Sequence, residues 1–208
     1  MPLLESALVV LALALVPALA LRPWRLLAGG RLAVPLLASI TVLPWLWALP
    51  SLHAMPLQLQ WSGACLVLLT VGWPLAVPTL CVVALAAALI AGSGWADAVS
   101  MAAWLGVLPA TLGLAIGAAV RRLLGTHPFV YLLGRAFLGS VLALFAASVL
   151  RQWSGQLLPG VGPNLSLVAH WLTAWGDAFV TGMLAAIFVA FKPEWLATWS
   201  DRRFLPRP

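Results

Sequence analysis

A polytopic helical membrane bundle is the all-α fold class this sequence predicts, on three observations. The chain is 63% hydrophobic and 8% charged over 208 residues. Its mean hydropathy is +1.06. No water-soluble domain of this length could hide so much apolar surface, so most of it must face lipid or other spans. The third observation is the placement of Arg and Lys. Seven apolar runs fall at about 6–21, 32–49, 59–71, 74–91, 99–120, 129–150 and 165–191. Threaded in order, the connections on one side collect Arg22, Arg25 and Arg31, then Arg121 and Arg122, then Lys192, Arg202, Arg203 and Arg207. Those are nine of the eleven basic residues. The positive-inside rule then places the N-terminus outside and the C-terminus in the cytoplasm. Spans and short connections use up residues 1–208, so the chain reads as one integral membrane domain with no room for a soluble catalytic unit.

The first run ends in Ala18-Leu19-Ala20, which has the look of a signal-peptidase site. Its leading end carries Glu5 and no basic residue, while arginines follow it. That charge order predicts an uncleaved helix with its N-terminus outside. The second run carries Pro44 near its end. The third and fourth are joined only by Gly72-Trp73-Pro74, a tight re-entry, and Pro78 interrupts the start of the fourth. Cys65 and Cys81 lie inside these two runs and read as small apolar fillers, not a disulfide framework. Pro109 breaks the fifth run. Helices interrupted in this way often surround polar sites in transporters, because freed carbonyls need partners.

Most of the twelve Trp residues fall near run ends, as an interfacial aromatic belt requires, whereas Trp104, Trp171 and Trp175 sit deeper and are candidates to line a cavity. Small residues recur at four-residue spacing: Ala14 and Ala18, Gly113 and Gly117, Gly182 and Ala186. Such rows let helix backbones approach closely where apolar burial gives no driving force. A row left over on the surface would dock another membrane subunit, and Ala14/Ala18 is the row expected to be spare.

Polar residues inside the membrane carry the functional expectation. Asp177 lies about 12 residues into the seventh run, roughly 18 Å from its outer end. A carboxylate at that depth costs several kcal/mol unless it is paired, hydrated or protonated, so a functional role is the default reading. His170 is seven residues earlier on the same helix face, and Thr181 continues the stripe one turn below. Arg135, within the sixth run, is placed to snorkel to the cytoplasmic headgroups. Arg151 alone falls in an outward connection. A looser outer group of His53, Gln58, Gln60, Asp97 and His170 is a candidate metal site, with imidazole and carboxylate as the ligands. The formal charge of +6 and pI near 11.1 do not indicate nucleic acid, because the basic residues flank spans and form no stripe or stacking platform. No His-Glu-x-x-His, paired intramembrane aspartates or serine-base arrangement occurs, so an enzyme is not expected.

The stretch Gly176-Asp177-Ala178-Phe179-Val180-Thr181-Gly182 resembles the Gly-Glu-Ala-x-Ile-Thr segment of CbiM/NikM-type membrane subunits, the substrate-specific components of energy-coupling-factor cobalt and nickel transporters. The chain is more similar still to CbiM-related bacterial proteins described as energy-coupling-factor ABC transporter permeases. That likeness rests on Gly72-Trp73-Pro74-Leu75-Ala76, His127-Pro128-Phe129-Val130-Tyr131, Lys192-Pro193-Glu194-Trp195 and Asp201-Arg202-Arg203-Phe204-Leu205. The resemblance covers about 58–205. It implies a seven-helix substrate-binding subunit in the cell inner membrane with an extracellular N-terminus. It also implies a coupling membrane subunit and an ATPase pair as partners, since this chain has no P-loop. No permanently bound cofactor is implied; the transported species would be a divalent metal, nickel or cobalt. Relatives begin Met-His and carry His-x-His at the third helix, whereas this chain has Pro2 and Gln58-Leu59-Gln60, and neutral amides are poor nickel or cobalt ligands. Asp177 stands where the family has glutamate. The site expected is therefore His170 and Asp177 with His53, supported by Gln58, Gln60 and Thr181. The alternative is a non-transporting protein of the same fold that has lost the metal and serves as an assembly or interaction subunit.

Overall fold

The computed structural model describes residues 2–53, 60–156, 162–200 and 204, with the side chains of Pro2 and Leu3 left aside. Among the described residues the chain is helical, with no strand. In order the elements are α1 (Pro2–Ala20), α2 (Ala33–Leu52), α3 (Ala64–Val71), α4 (Trp73–Ala91), α5 (Trp95–Leu124), α6 (Val130–Trp153) and α7 (Pro163–Phe191). Five of these, α2 and α4 to α7, are long and apolar enough to cross a membrane, and the apolar part of α1, Leu4–Ala20, is shorter.

The third apolar run departs from expectation. Instead of a helix over 59–71, only eight residues coil, about 12 Å at 1.5 Å per residue. Residues 60–63 precede it without helical structure. Gly63 makes the entry, with φ +62°, and a Cβ there would lie 2.7 Å from Leu43 Cδ2. Only glycine reaches that conformation and that contact without strain. At the other end Gly72 (φ +81°) reverses the chain directly into α4.

Half of α4's apolar window is buried, the largest share of the five long helices. Its Ala84 and Ala87 are fully buried in the cluster that also takes in Ala14 and Ala18 of α1, Leu43 and Trp47 of α2, and Val67 and Leu68 of α3. Small side chains there let three neighbours reach the central helix. The Ala14/Ala18 row is thus spent inside the bundle and is not a spare docking face. Gly113 packs on Leu68 and Cys65 of α3, and Gly182 on Phe137 of α6. Gly117 has a different use. Its missing Cβ leaves room for the Arg135 side chain, whose Nε would lie 2.8 Å from such an atom. Arg135 lies over the Tyr131 ring, 5.9 Å from guanidinium carbon to ring centre. Ala186 is half-buried.

Trp171 and Trp175 lie apart from the polar cavity beside the start of α3. Both are about one-third exposed and stack edge-on with each other and with Phe145 and Phe137 on the flank of α6 and α7. The outward faces of α1 and α2 carry Leu13, Val16, Leu37, Val42 and Trp45, all more than half exposed, as lipid-facing surfaces are. The segment after α7 folds back on the bundle. Leu196, Trp199 and Phe204 enclose Tyr131, whose hydroxyl shares a 2.8 Å hydrogen bond with Thr198 Oγ1.

Candidate functional site

Asp177 is the middle residue of the 29-residue α7, about 21 Å from either end. It is 3% exposed and its carboxylate is fully engaged. Oδ2 accepts the backbone N–H of Ser62 at 2.8 Å and of Gly63 at 3.0 Å, while Oδ1 accepts the Thr181 hydroxyl at 3.3 Å. The amino end of a helix leaves backbone donors without partners and carries a partial positive charge, so a carboxylate there is stabilising. Asp177 caps α3 from 114–115 residues away, through the N–H of Gly63, the residue that starts the helix, and of Ser62 just before it.

Other bonds hold the non-helical stretch, although the buried Trp61 indole N–H has no partner. Trp47 Nε1 donates to Ser62 O at 3.0 Å, and Gln60 Nε2 donates to Trp47 O at 3.0 Å. Ser62 Oγ donates to Leu105 O at 2.6 Å and accepts from Ala64 N at 3.2 Å. Pro109 has no N–H to give back to the turn before it, and the Leu105 carbonyl of that turn takes the serine hydroxyl instead. α5 widens here into π-helical turns over Met101–Val107, a distortion that is common at functional sites. The carbonyl end of α3 is capped as well: Ala197 N donates to Thr70 O, and Thr198 N and Oγ1 both donate to Leu69 O. Irregular backbone at membrane depth survives only where protein satisfies it, and here α2, α5, α7 and the tail do so.

Beside the start of α3 is a cavity of about 50 Å³ between the non-helical lead at 60–63, α5, α6 and α7. Gln60 and Ser62 line it from the segment before α3, Trp104 from α5, Arg151 from α6, and His170 and Asp177 from α7. Ser148 and Thr173 also reach it, but their hydroxyls donate to carbonyls of their own helices, Leu144 and Ala169. Arg151 belongs to the last turn of α6 and not to a loop. Its Nε donates to Gln156 Oε1 at 3.1 Å; among the described residues the only ion pair within 4.0 Å is Lys192–Glu194, so no carboxylate neutralises Arg151. Trp104 is 7% exposed and its indole N–H has no partner. A wider groove shares Gln60, Thr173 and Asp177 with the cavity and runs out past Trp61, Leu172 and Gly176.

Of the residues singled out from sequence, His170, Asp177, Gln60 and Thr181 come together here, the last through its bond to Asp177. His53 does not: it is exposed at the end of α2, with Nδ1 3.1 Å from Leu49 O. Gln58 lies outside the described residues. Asp97 is exposed at the start of α5 and caps the Gly94 N–H at 3.3 Å. Among the described residues no three His, Cys, Asp or Glu side chains gather in a group able to hold a metal ion. Trp104, expected from its depth to line a cavity, does so; sequence reasoning missed Arg151 and the backbone donors of Ser62 and Gly63. Arg151 carried a signal, as the one basic residue that defied the charge asymmetry. The chain matches no family model, no curated protein and no solved structure.

Proposed function

We propose that this chain is the solute-binding membrane subunit of an energy-coupling-factor type uptake system in the cell inner membrane. It would cross the bilayer seven times, with its N-terminus outside and its C-terminus cytoplasmic. In this reading the third crossing is broken: an irregular outer half at 60–63 and a helical inner half, α3. One observation carries the reading. A half-helix starts at mid-bundle depth beside a polar cavity, the arrangement by which membrane transporters build solute sites from interrupted helices. The charge distribution supports the orientation, and the motifs around Gly72, His127, Asp177 and Lys192 support the family.

The cargo implied by the resemblance, nickel or cobalt, receives less support from the donors present. One imidazole and one carboxylate face the cavity, and the carboxylate is spent on α3. The cavity also holds an unneutralised guanidinium. A divalent cation there is repelled by Arg151, which opposes the attraction of Asp177. The interaction-subunit reading expected a spare small-residue face and a dry interior. The buried Ala14 and Ala18 and the polar cavity favour solute binding over it.

The reading is tested by purifying the tagged chain from its native membranes in mild detergent. A second membrane protein and a P-loop ATPase should co-purify in fixed stoichiometry. A chain that emerges alone, and whose loss leaves no uptake phenotype, would overturn it.

A further inference from the structure

The cavity beside α3 has a charge character that its position alone does not demand. Among the described residues that line it, Arg151, His170 and Asp177 are the ionisable ones. Asp177 contributes little negative potential to the space, because both oxygens accept hydrogen bonds and the amino end of α3 opposes its charge. Arg151 is half-buried, holds one neutral partner and has no counter-ion among the described residues. An uncompensated guanidinium within a bundle is costly, and a group that ligates it recovers that cost. Trp104 adds a second unspent donor, an indole N–H with no partner on a side chain more than nine-tenths buried. Indole N–H groups ordinarily find an acceptor when buried. The hydroxyls of Ser148 and Thr173 already donate to their own helices and Gln60 has spent one of its two amide N–H groups on Trp47 O, so the donors left for a ligand are chiefly the guanidinium, the indole and His170.

We infer that this cavity binds an anionic group of carboxylate size, held by Arg151 and Trp104, with His170 at its edge. The inference rests on the solute-binding role proposed above and names the chemical class of that solute. At about 50 Å³ the cavity has room for a small head group such as a carboxylate, one water needing about 10–15 Å³ by the same measure. A guanidinium presents paired donors that match a carboxylate's two oxygens. The adjoining groove past Trp61 and Leu172 accommodates an apolar body attached to such a head. A singly charged group with two paired oxygens is available from a soluble monocarboxylate or from the phosphodiester of an anionic lipid.

Delipidated protein in neutral detergent is titrated calorimetrically with sodium acetate at constant ionic strength. In parallel it is incorporated into nanodiscs of mixed phosphatidylcholine and phosphatidylglycerol and scored for retained phosphatidylglycerol by native mass spectrometry. Both assays are repeated with Arg151→Gln and with Trp104→Phe, which keeps the ring but removes the donor, each verified as folded by its melting transition. Saturable acetate binding weakened about tenfold or more by Arg151→Gln, and severalfold by Trp104→Phe, supports a soluble anion as the occupant. Retained phosphatidylglycerol lost in both variants, without acetate binding, supports the lipid headgroup. Absence of both, or binding that neither variant alters, overturns the assignment. If anion binding fails while the ATPase still co-purifies, the solute class is wrong and the uptake reading stands. If the anion binds but no partners co-purify, the converse holds.

Discussion

Replacing Asp177 separates its role as a cap from a role as a bare charge. The carboxylate accepts two backbone N–H groups at 2.8 and 3.0 Å in a site 3% exposed. Asp177→Ala leaves both donors buried without partners. Each costs about 2 kcal/mol, within the usual 1–3, so the loss is about 4 kcal/mol. For a chain of this size each kcal/mol moves Tm by about 2–4 °C, which puts the Ala variant about 8–16 °C below wild type. Asp177→Asn behaves differently. It keeps an acceptor oxygen facing Ser62 and Gly63 and sheds the expense of holding a charge at mid-membrane, so its melting point stays within a few degrees of wild type. The assay is thermal unfolding in a mild detergent, followed by near-ultraviolet circular dichroism. Two results would refute the capping argument: an Ala variant as stable as wild type, or an Asn variant that falls as far as Ala.

Three further predictions concern the elements around that cap. Gly63→Ala should lower Tm more than Gly92→Ala: both sites have positive φ, but only Gly63 also meets Leu43, whereas Gly92 faces open space. Equal losses would show that backbone conformation alone is at stake and that the Leu43 contact is absent. Thr198→Val removes the hydroxyl that joins Leu69 O to Tyr131, at about 1–2 kcal/mol. Combined with Tyr131→Phe it should cost less than the two single losses added, since the residues share one bond; strict additivity in the double-mutant cycle would contradict the contact. A C-terminal green fluorescent protein fusion should fluoresce and an alkaline phosphatase fusion at the same place should be inactive, if the positive-inside rule orients the basic tail to the cytoplasm as proposed; the opposite pair of results would reverse the topology.

The membrane class was legible because composition and run length are one-dimensional properties, and the long helices follow the apolar runs closely. The third run was not legible in the same way. Its residues are almost all apolar, and hydropathy cannot tell a full crossing from a half-helix with an irregular lead. What breaks it is Gly63 together with an acceptor more than a hundred residues away, and that pairing is a fact of three-dimensional packing. Asp177 could be singled out from the expense of burying a carboxylate, but expense says only that something must offset it. The resemblance assigned a metal to that carboxylate; the structure adds two backbone amides and the Thr181 hydroxyl as its partners. His53 was grouped with the site because chain order puts it near Gln60, yet α2 ends with its imidazole turned to the surface. Arg151 was read as a loop residue, and its membership in the last turn of α6 is what carries it to the cavity. The Ala14/Ala18 row shows the limit of small-residue motifs: the spacing identifies a packing face but not its partner, here α4.

Substituted-cysteine labelling tests most directly whether the cavity beside α3 is a solute site reached from outside. In a chain whose Cys65 and Cys81 are replaced by Ala, Thr173→Cys is placed on the cavity wall. Ser140→Cys, at a position 2% exposed on α6, serves as the buried control. Intact spheroplasts are treated with a membrane-impermeant, negatively charged methanethiosulfonate. The account predicts that Thr173→Cys is modified from outside and Ser140→Cys is not. A Thr173→Cys that stays unreactive, or that reacts only in inverted vesicles, would contradict an outward-facing solute cavity.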